Sequence, residues 1–147
     1  MTPEETLVIE NACRRLVTEW AHIVDAQRYG QLTSVFTDNA VFARPSDPDT
    51  QLEGLRAILA SYAARPATRV TRHLCTNILI DVHSATEASG TTYVLLYTAD
   101  VAAPEVAGKG RKGAGQFLGA FADDFVRTAE GWRIARRLGS MTLHITS

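Results

Sequence analysis

Ile9, Cys13, Leu16, Trp20 and Ile23 recur at intervals of three to four residues, and Val17 and Val24 widen them into a stripe. That is the period of a helix with one buried face. Thr2-Pro3-Glu4-Glu5 marks its start: Thr2 can cap, Pro3 suits the first helical position, and the two acids complement the helix dipole. The pattern predicts a helix to about Arg28 that stops at Gly30. Gln31 to Phe36 reads as a short second helix, Asp38-Asn39 as a turn, and Ala40 to Arg44 as a strand broken by Pro45, Asp47 and Pro48. Leu55, Ile58, Leu59 and Tyr62 share one face of a third helix, Gly54 to Ala64, which Pro66 ends.

Beyond Pro66 the pattern changes. Val70 to His83, Thr91 to Val101, Gly115 to Arg127 and Trp132 to His144 are long, rich in β-branched and aromatic residues, and separated by turn-like pieces, with Glu130-Gly131 as a tight hairpin turn. Helices first and long adjacent strands afterwards predict an α+β fold, an antiparallel sheet curling over the helices. Ala102 to Ala114 is small, Gly-rich and basic, the composition of a hairpin loop or of a lid over a pocket. Gly108-Lys109 lacks the following Ser or Thr of a phosphate loop and joins two strands instead of opening a helix.

Composition narrows the function classes. The 147 residues suit one domain, and a formal charge of -1 with 21% charged residues gives no basic excess to attract nucleic acid or anionic lipid. No apolar run approaches the ~18 residues of a membrane span, and the acidic start is the reverse of a secretory signal, so the expected location is cytoplasmic. Cys13 and Cys75 then read as buried thiols, and no spacing of His, Cys or carboxylates suggests a metal site.

Two residues stand out for chemistry. His73 opens a strand, and an imidazole titrates near working pH; an Asp on one ring nitrogen would fix the tautomer presented to a substrate. Asp25 is the candidate partner, although on a helical wheel it lies about 140° from Trp20, off the apolar stripe, where a solvated acid also belongs. Alternation places His73, Cys75, Asn77, Leu79 and Asp81 on one strand face, and Leu74, Thr76, Ile78, Ile80 and Val82 on the other. The mixed face reads as a pocket wall; the apolar face needs cover, from the helices or from another subunit. Tyr29, Tyr93, Tyr97 and Asn77 are candidate hydrogen-bond donors to a substrate, and Trp20 and Phe117 candidate apolar walls. Alternation also groups Arg133 with Arg137 against Arg136, so Arg136 or Arg137 reaches the pocket.

Three stretches carry a family likeness: HIVDAQRYGQLTSVFTDNAVF (His22 to Phe42), TRHLCTNILIDV (Thr71 to Val82) and DDFVRTAEGWRIARR (Asp123 to Arg137). In this order and spacing they resemble the SnoaL-like branch of the NTF2-like superfamily, which includes scytalone dehydratase, bile acid 7α-dehydratase, hexachlorocyclohexane dehydrochlorinase, ketosteroid isomerase and polyketide cyclases. The resemblance implies a cone-shaped, cystatin-like fold with N-terminal helices packed in a curved, mostly antiparallel sheet. It also implies Asp25 supporting His73 as the base, with Arg137 as the counterpart of an Arg after the Gly-Trp of the last hairpin. The second His and paired tyrosines of scytalone dehydratase do not carry over, nor does the Lys that the dehydrochlorinase has where this chain has Trp20.

The implied function is a cofactor-independent lyase, a dehydratase or dehydrohalogenase, acting on a small, mostly apolar, cyclic substrate in a homo-oligomer, dimer or trimer. An isomerase or polyketide cyclase would use the same base. A non-catalytic binding or assembly module is the third reading, since one fold hosts unrelated functions. The gap between the Asp25 carboxylate and the His73 ring separates enzyme from module: about 3 Å beside an apolar cavity favours an enzyme.

Overall fold

Thr2 and Glu5 close a reciprocal capping box at the start of α1 (Pro3–Asp25): the Thr2 hydroxyl accepts from the Glu5 amide at 3.1 Å and the Glu5 carboxylate from the Thr2 amide at 2.8 Å. The helix stops earlier than its periodicity predicts. Ala26 is the cap, and Gln27, not Gly30, takes the left-handed turn at φ 56°. The Gln27 amide then donates to Val24 O at 3.1 Å and the Arg28 amide to Ile23 O at 3.0 Å, satisfying the last carbonyls. Gln27 holds this turn because its side-chain amide donates to the carbonyls of Ala67 and Arg69, at 3.1 and 3.2 Å.

The computed structural model describes residues 1–146. A 3₁₀ turn over Tyr29–Ser34 replaces the expected second helix, and β1 (Phe36–Arg44) begins four residues before Ala40. The proline-rich stretch ends β1 as predicted but returns as a strand, β2 (Asp47–Glu53), which is exposed and pairs only with β1, so Pro48 costs no central ladder bond. After α2 (Leu55–Ala63) come four long strands, β3 (Arg69–Val82), β4 (Glu87–Asp100), β5 (Gly115–Thr128) and β6 (Gly131–Thr146). They form one curved sheet in the order β2-β1-β6-β5-β4-β3, antiparallel except where β1 runs parallel to β6.

Both helices pack against one face of this sheet, and their apolar stripes join Phe36, Phe42, Phe121, Phe125 and Ile134 in a single core. Pro45, just past β1, lies on Gly139 and Gly119; a Cβ on Gly139 would meet the Pro45 backbone nitrogen and ring. Two of the sheet's bulges bear on the site. Asn77, at φ 51°, is left out of the β3–β4 register between Thr76 and Leu79, and Ala135 is left out of the β5–β6 register between Ile134 and Arg136. The predicted two faces of β3 are therefore corrected: Thr71, His73 and Cys75 point inward before the bulge, and Ile78, Ile80 and Val82 after it. Ala102–Ala114 is a hairpin loop folded on itself by a Val106–Gly110 bridge and by Arg111 donating to Val101 O at 2.9 Å.

Candidate active site

Asp25 is the last residue of α1, the end where the helix dipole disfavours an anion. Three donors on β3 outweigh that. Its Oδ1 accepts from the Thr71 hydroxyl at 2.9 Å and meets His73 Nδ1 at 2.6 Å, while Oδ2 accepts from the His73 amide at 2.9 Å. The His73 and Asp25 side chains are only 9% and 10% exposed. Burial by itself would push the Asp25 carboxyl up, but the bonds from the His73 ring and amide and from Thr71 prevail and hold it below its ordinary value.

An ionised Asp25 requires His73 to donate through Nδ1–H, which leaves Nε2 as the lone-pair nitrogen. Among the described residues Nε2 has no hydrogen-bond partner. The ring lines a cavity of about 480 Å³ between the helices and the sheet, within the usual range for small-molecule sites. Trp20 stands edge-on to it at 4.9 Å, and Phe42, Tyr62, Val94 and Phe121 are among the residues of the apolar wall. A second hollow, between α1 and the start of β3, also reaches Asp25 and His73, but its rim of His22, Ala26, Arg72 and Leu74 is exposed and carries no aromatic wall. The aromatic-walled cavity is the better place to desolvate a reacting carbon.

The other candidates divide. Trp20 and Phe117 line the cavity. Tyr29 lies one ring behind it, stacked on Tyr62 at 5.1 Å. Tyr93 and Tyr97 correct the expectation, being 55% and 42% exposed on the outer face, because β4 turns Thr92, Val94 and Leu96 inward instead. Asn77 is likewise exposed, turned out by its own bulge. Arg137 is the inward arginine and Arg136 the exposed one, but the bulge at Ala135 pairs Arg137 with Ile134 on the inner face, not with Arg133.

Arg137 does not line the cavity. It is fully buried, bidentate to Asp123 at 2.7 and 3.0 Å, with its guanidinium 4.7 Å from the Trp20 ring and 4.1 Å from Phe121. Burial opposes its charge, and the Asp123 carboxylate more than restores it, so Arg137 stays a cation behind two aromatic walls.

Tyr62, which the sequence places on the apolar face of the third helix without singling it out for the site, has a hydroxyl that accepts from Trp20 Nε1 at 3.2 Å and a ring that lines the cavity. Sequence reasoning also passed over Arg44, Arg65 and Arg69, which stand at the cavity mouth. The available signal was that Arg44 and Arg65 each precede a proline at a chain break. Cys75, two residues from His73, is no nucleophile here, since burial pushes its thiol up to about 11. Among the described residues no three His, Cys, Asp or Glu side chains converge to hold a metal ion, and no helix is long and apolar enough to cross a membrane.

Residues 5–138 match the family model described as SnoaL-like domain. No curated protein matches the sequence. The solved structures it is similar to include LinA, at TM-score 0.82 and 20% identity over 100% of this chain and 95% of that one. Another is hexachlorocyclohexane dehydrochlorinase LinA-type3 from Novosphingobium barchaimii, at 0.80 and 18% over 99% and 94%. A third is a provisionally assigned scytalone dehydratase from Novosphingobium aromaticivorans, at 0.79 and 22% over 99% and 92%. At such identities the likeness speaks for the fold. With a family match across nearly its whole length, the chain belongs to the SnoaL-like domain family of the NTF2-like superfamily.

Proposed function

We propose that this protein is a cofactor-independent lyase in which His73, held by Asp25, removes a proton from carbon. The single observation that supports this is the 2.6 Å contact between Asp25 and His73 beside an apolar cavity. His73 Nε2 takes the proton; the electron pair of the broken C–H bond becomes a carbon–carbon double bond as hydroxide or halide leaves the neighbouring carbon with its bonding pair. Asp25 stabilises the imidazolium that forms, and the aromatic wall limits the water that can compete for the proton. The provisionally assigned scytalone dehydratase and the hexachlorocyclohexane dehydrochlorinase of like fold are in keeping with this outcome. The cavity volume suits a substrate of one or two rings.

Arg137 serves in this reading as a positioning cation that fixes Trp20 and Phe121. The outer face of the sheet, where Leu74, Leu95, Leu118 and Leu143 form a register-matched row across four strands, packs against another copy of the chain.

A panel of cyclic β-hydroxy carbonyl compounds and cyclic halides, incubated in deuterated water, tests the chemistry. Elimination releases the leaving group; deuterium at a new carbon without release would indicate an isomerase instead. His73→Ala should lose about 10²- to 10⁴-fold in turnover, the usual worth of a positioned base. Full turnover in that variant would overturn the proposal.

A further inference from the structure

The mouth of the cavity is lined by Arg44, Arg65 and Arg69, all half-buried. Every ion pair among the described residues lies elsewhere, so none of these three arginines is paired with a carboxylate, and Asp47 acts on Arg44 only from beyond ion-pair distance. Arg44 is the most constrained. Its guanidinium packs 4.7 Å over the Tyr62 ring and 5.5 Å from Phe42, one nitrogen donates to the Ser61 hydroxyl, and the other terminal nitrogen is buried with no partner. Arg65 approaches Tyr62 at 5.5 Å. Burial first, and the neighbouring guanidinium groups after it, disfavour the charge on Arg44 and Arg69; Asp47 and the two tyrosines, Tyr29 and Tyr62, offset this only in part at Arg44.

Three cations held together, one with an orphaned buried donor, in a chain of net charge -1, form an arrangement that needs an anion. Guanidinium groups match the geometry of carboxylate and phosphate oxygens. We infer that the ligand of this cavity carries a terminal oxyanion, a carboxylate or phosphate ester, which Arg44, Arg65 and Arg69 bind at the mouth while its apolar body reaches His73. This rests on the cavity being the substrate site. Arg69 and His73 are four residues apart on β3, about 13 Å of strand, so an anchored ring compound places its far carbons near Nε2.

Calorimetric titration with 1-naphthoate, 1-naphthyl phosphate and neutral 1-naphthamide tests the inference. At least one anion should bind on the order of tenfold or more tighter than the amide, and the tighter of the two identifies the oxyanion class. In R65Q/R69Q that advantage should shrink at least tenfold while amide binding holds; R69Q alone provides the same comparison should the double variant fold poorly. An amide that binds as tightly as both anions, failure of both anions to bind, or an anion advantage that survives R69Q and R65Q/R69Q would overturn the inference. H73A separates the two readings. Undiminished 1-naphthoate binding with turnover intact would sink the lyase and leave the oxyanion site standing. An inactive H73A beside equal amide and anion binding in the native protein would do the reverse.

Discussion

Asp25→Asn changes one oxygen for an amide group and removes a charge from a site with three donors. Thr71 Oγ1–H and His73 Nδ1–H converge on one oxygen and the His73 amide on the other. Asn offers a single acceptor. If its oxygen keeps the His73 amide, its NH₂ group faces Nδ1, which must then accept, and the ring proton moves to Nε2, where nothing remains to take a substrate proton. If the oxygen keeps Nδ1–H, the NH₂ group opposes the backbone N–H at a 2.9 Å separation. Charged hydrogen bonds are each worth about 1.5–3 kcal/mol, so the variant should lose about 2–3 kcal/mol of stability, or roughly 5–10 °C in Tm, and about 10²- to 10⁴-fold in proton abstraction. A long-range ¹H–¹⁵N spectrum of the imidazoles at pH 8, with His73 assigned by its absence in H73Q, reads the tautomer without any substrate. The wild type should show Nδ1–H and D25N should show Nε2–H; a wild-type Nε2–H tautomer would refute the reasoning. The same carboxyl sets an acid limb. Because its folded pKa lies below the ordinary 3.8, the stability it contributes is complete above that value and vanishes as pH falls through the folded one. The wild-type advantage over D25N in urea unfolding should therefore narrow below about pH 4.

Arg137→Gln leaves Asp123 buried without its cation and removes the stack on Trp20 and Phe121; a loss of about 3–5 kcal/mol is expected in chemical denaturation, and a loss under 1 kcal/mol would show that the pair is not desolvated as described. Gly139→Ala drives a methyl into the Pro45 backbone nitrogen and ring, which should cost about 1–3 kcal/mol and be rescued in part by a smaller residue at position 45. Neither thiol should react with iodoacetamide in the native protein at pH 8, since burial, complete at Cys13 and partial at Cys75, pushes them up to about 12 and about 11; fast labelling of Cys75 at neutral pH would contradict this.

The helices and long strands were legible because each repeats its period over many residues; α1 runs from its capping box through Trp20 as the spacing predicts. Failures came where one residue resets the phase. Asn77 in β3 and Ala135 in β6 each insert a residue, after which the side chains point to the opposite face from the one alternation assigns, in β6 as far as the next register shift at Thr142. Asn, which tolerates positive φ, was the only local hint of the first; Ala135 gave none. The Asp25–His73 pairing could not follow from pattern at all, since periodicity places Asp25 off the apolar stripe and only its bonds to β3 bring it in. Arg44, Arg65 and Arg69 come from three different elements or turns, and nothing in their spacing announces that they meet.

The end of α1 has a consequence for solubility. β3 is an outer strand of the sheet, and its first half would present unpaired amides and carbonyls to any passing chain. Asp25 takes the amide of His73, and Gln27 takes the carbonyls of Arg69 and Ala67, so two side chains of one turn stand where a further strand would dock. The carboxylate proposed to orient the base thereby also shields the sheet from edge-to-edge aggregation. Substitutions that remove it, such as Asp25→Ala, should leave a protein that self-associates on concentration as well as one that fails to turn over.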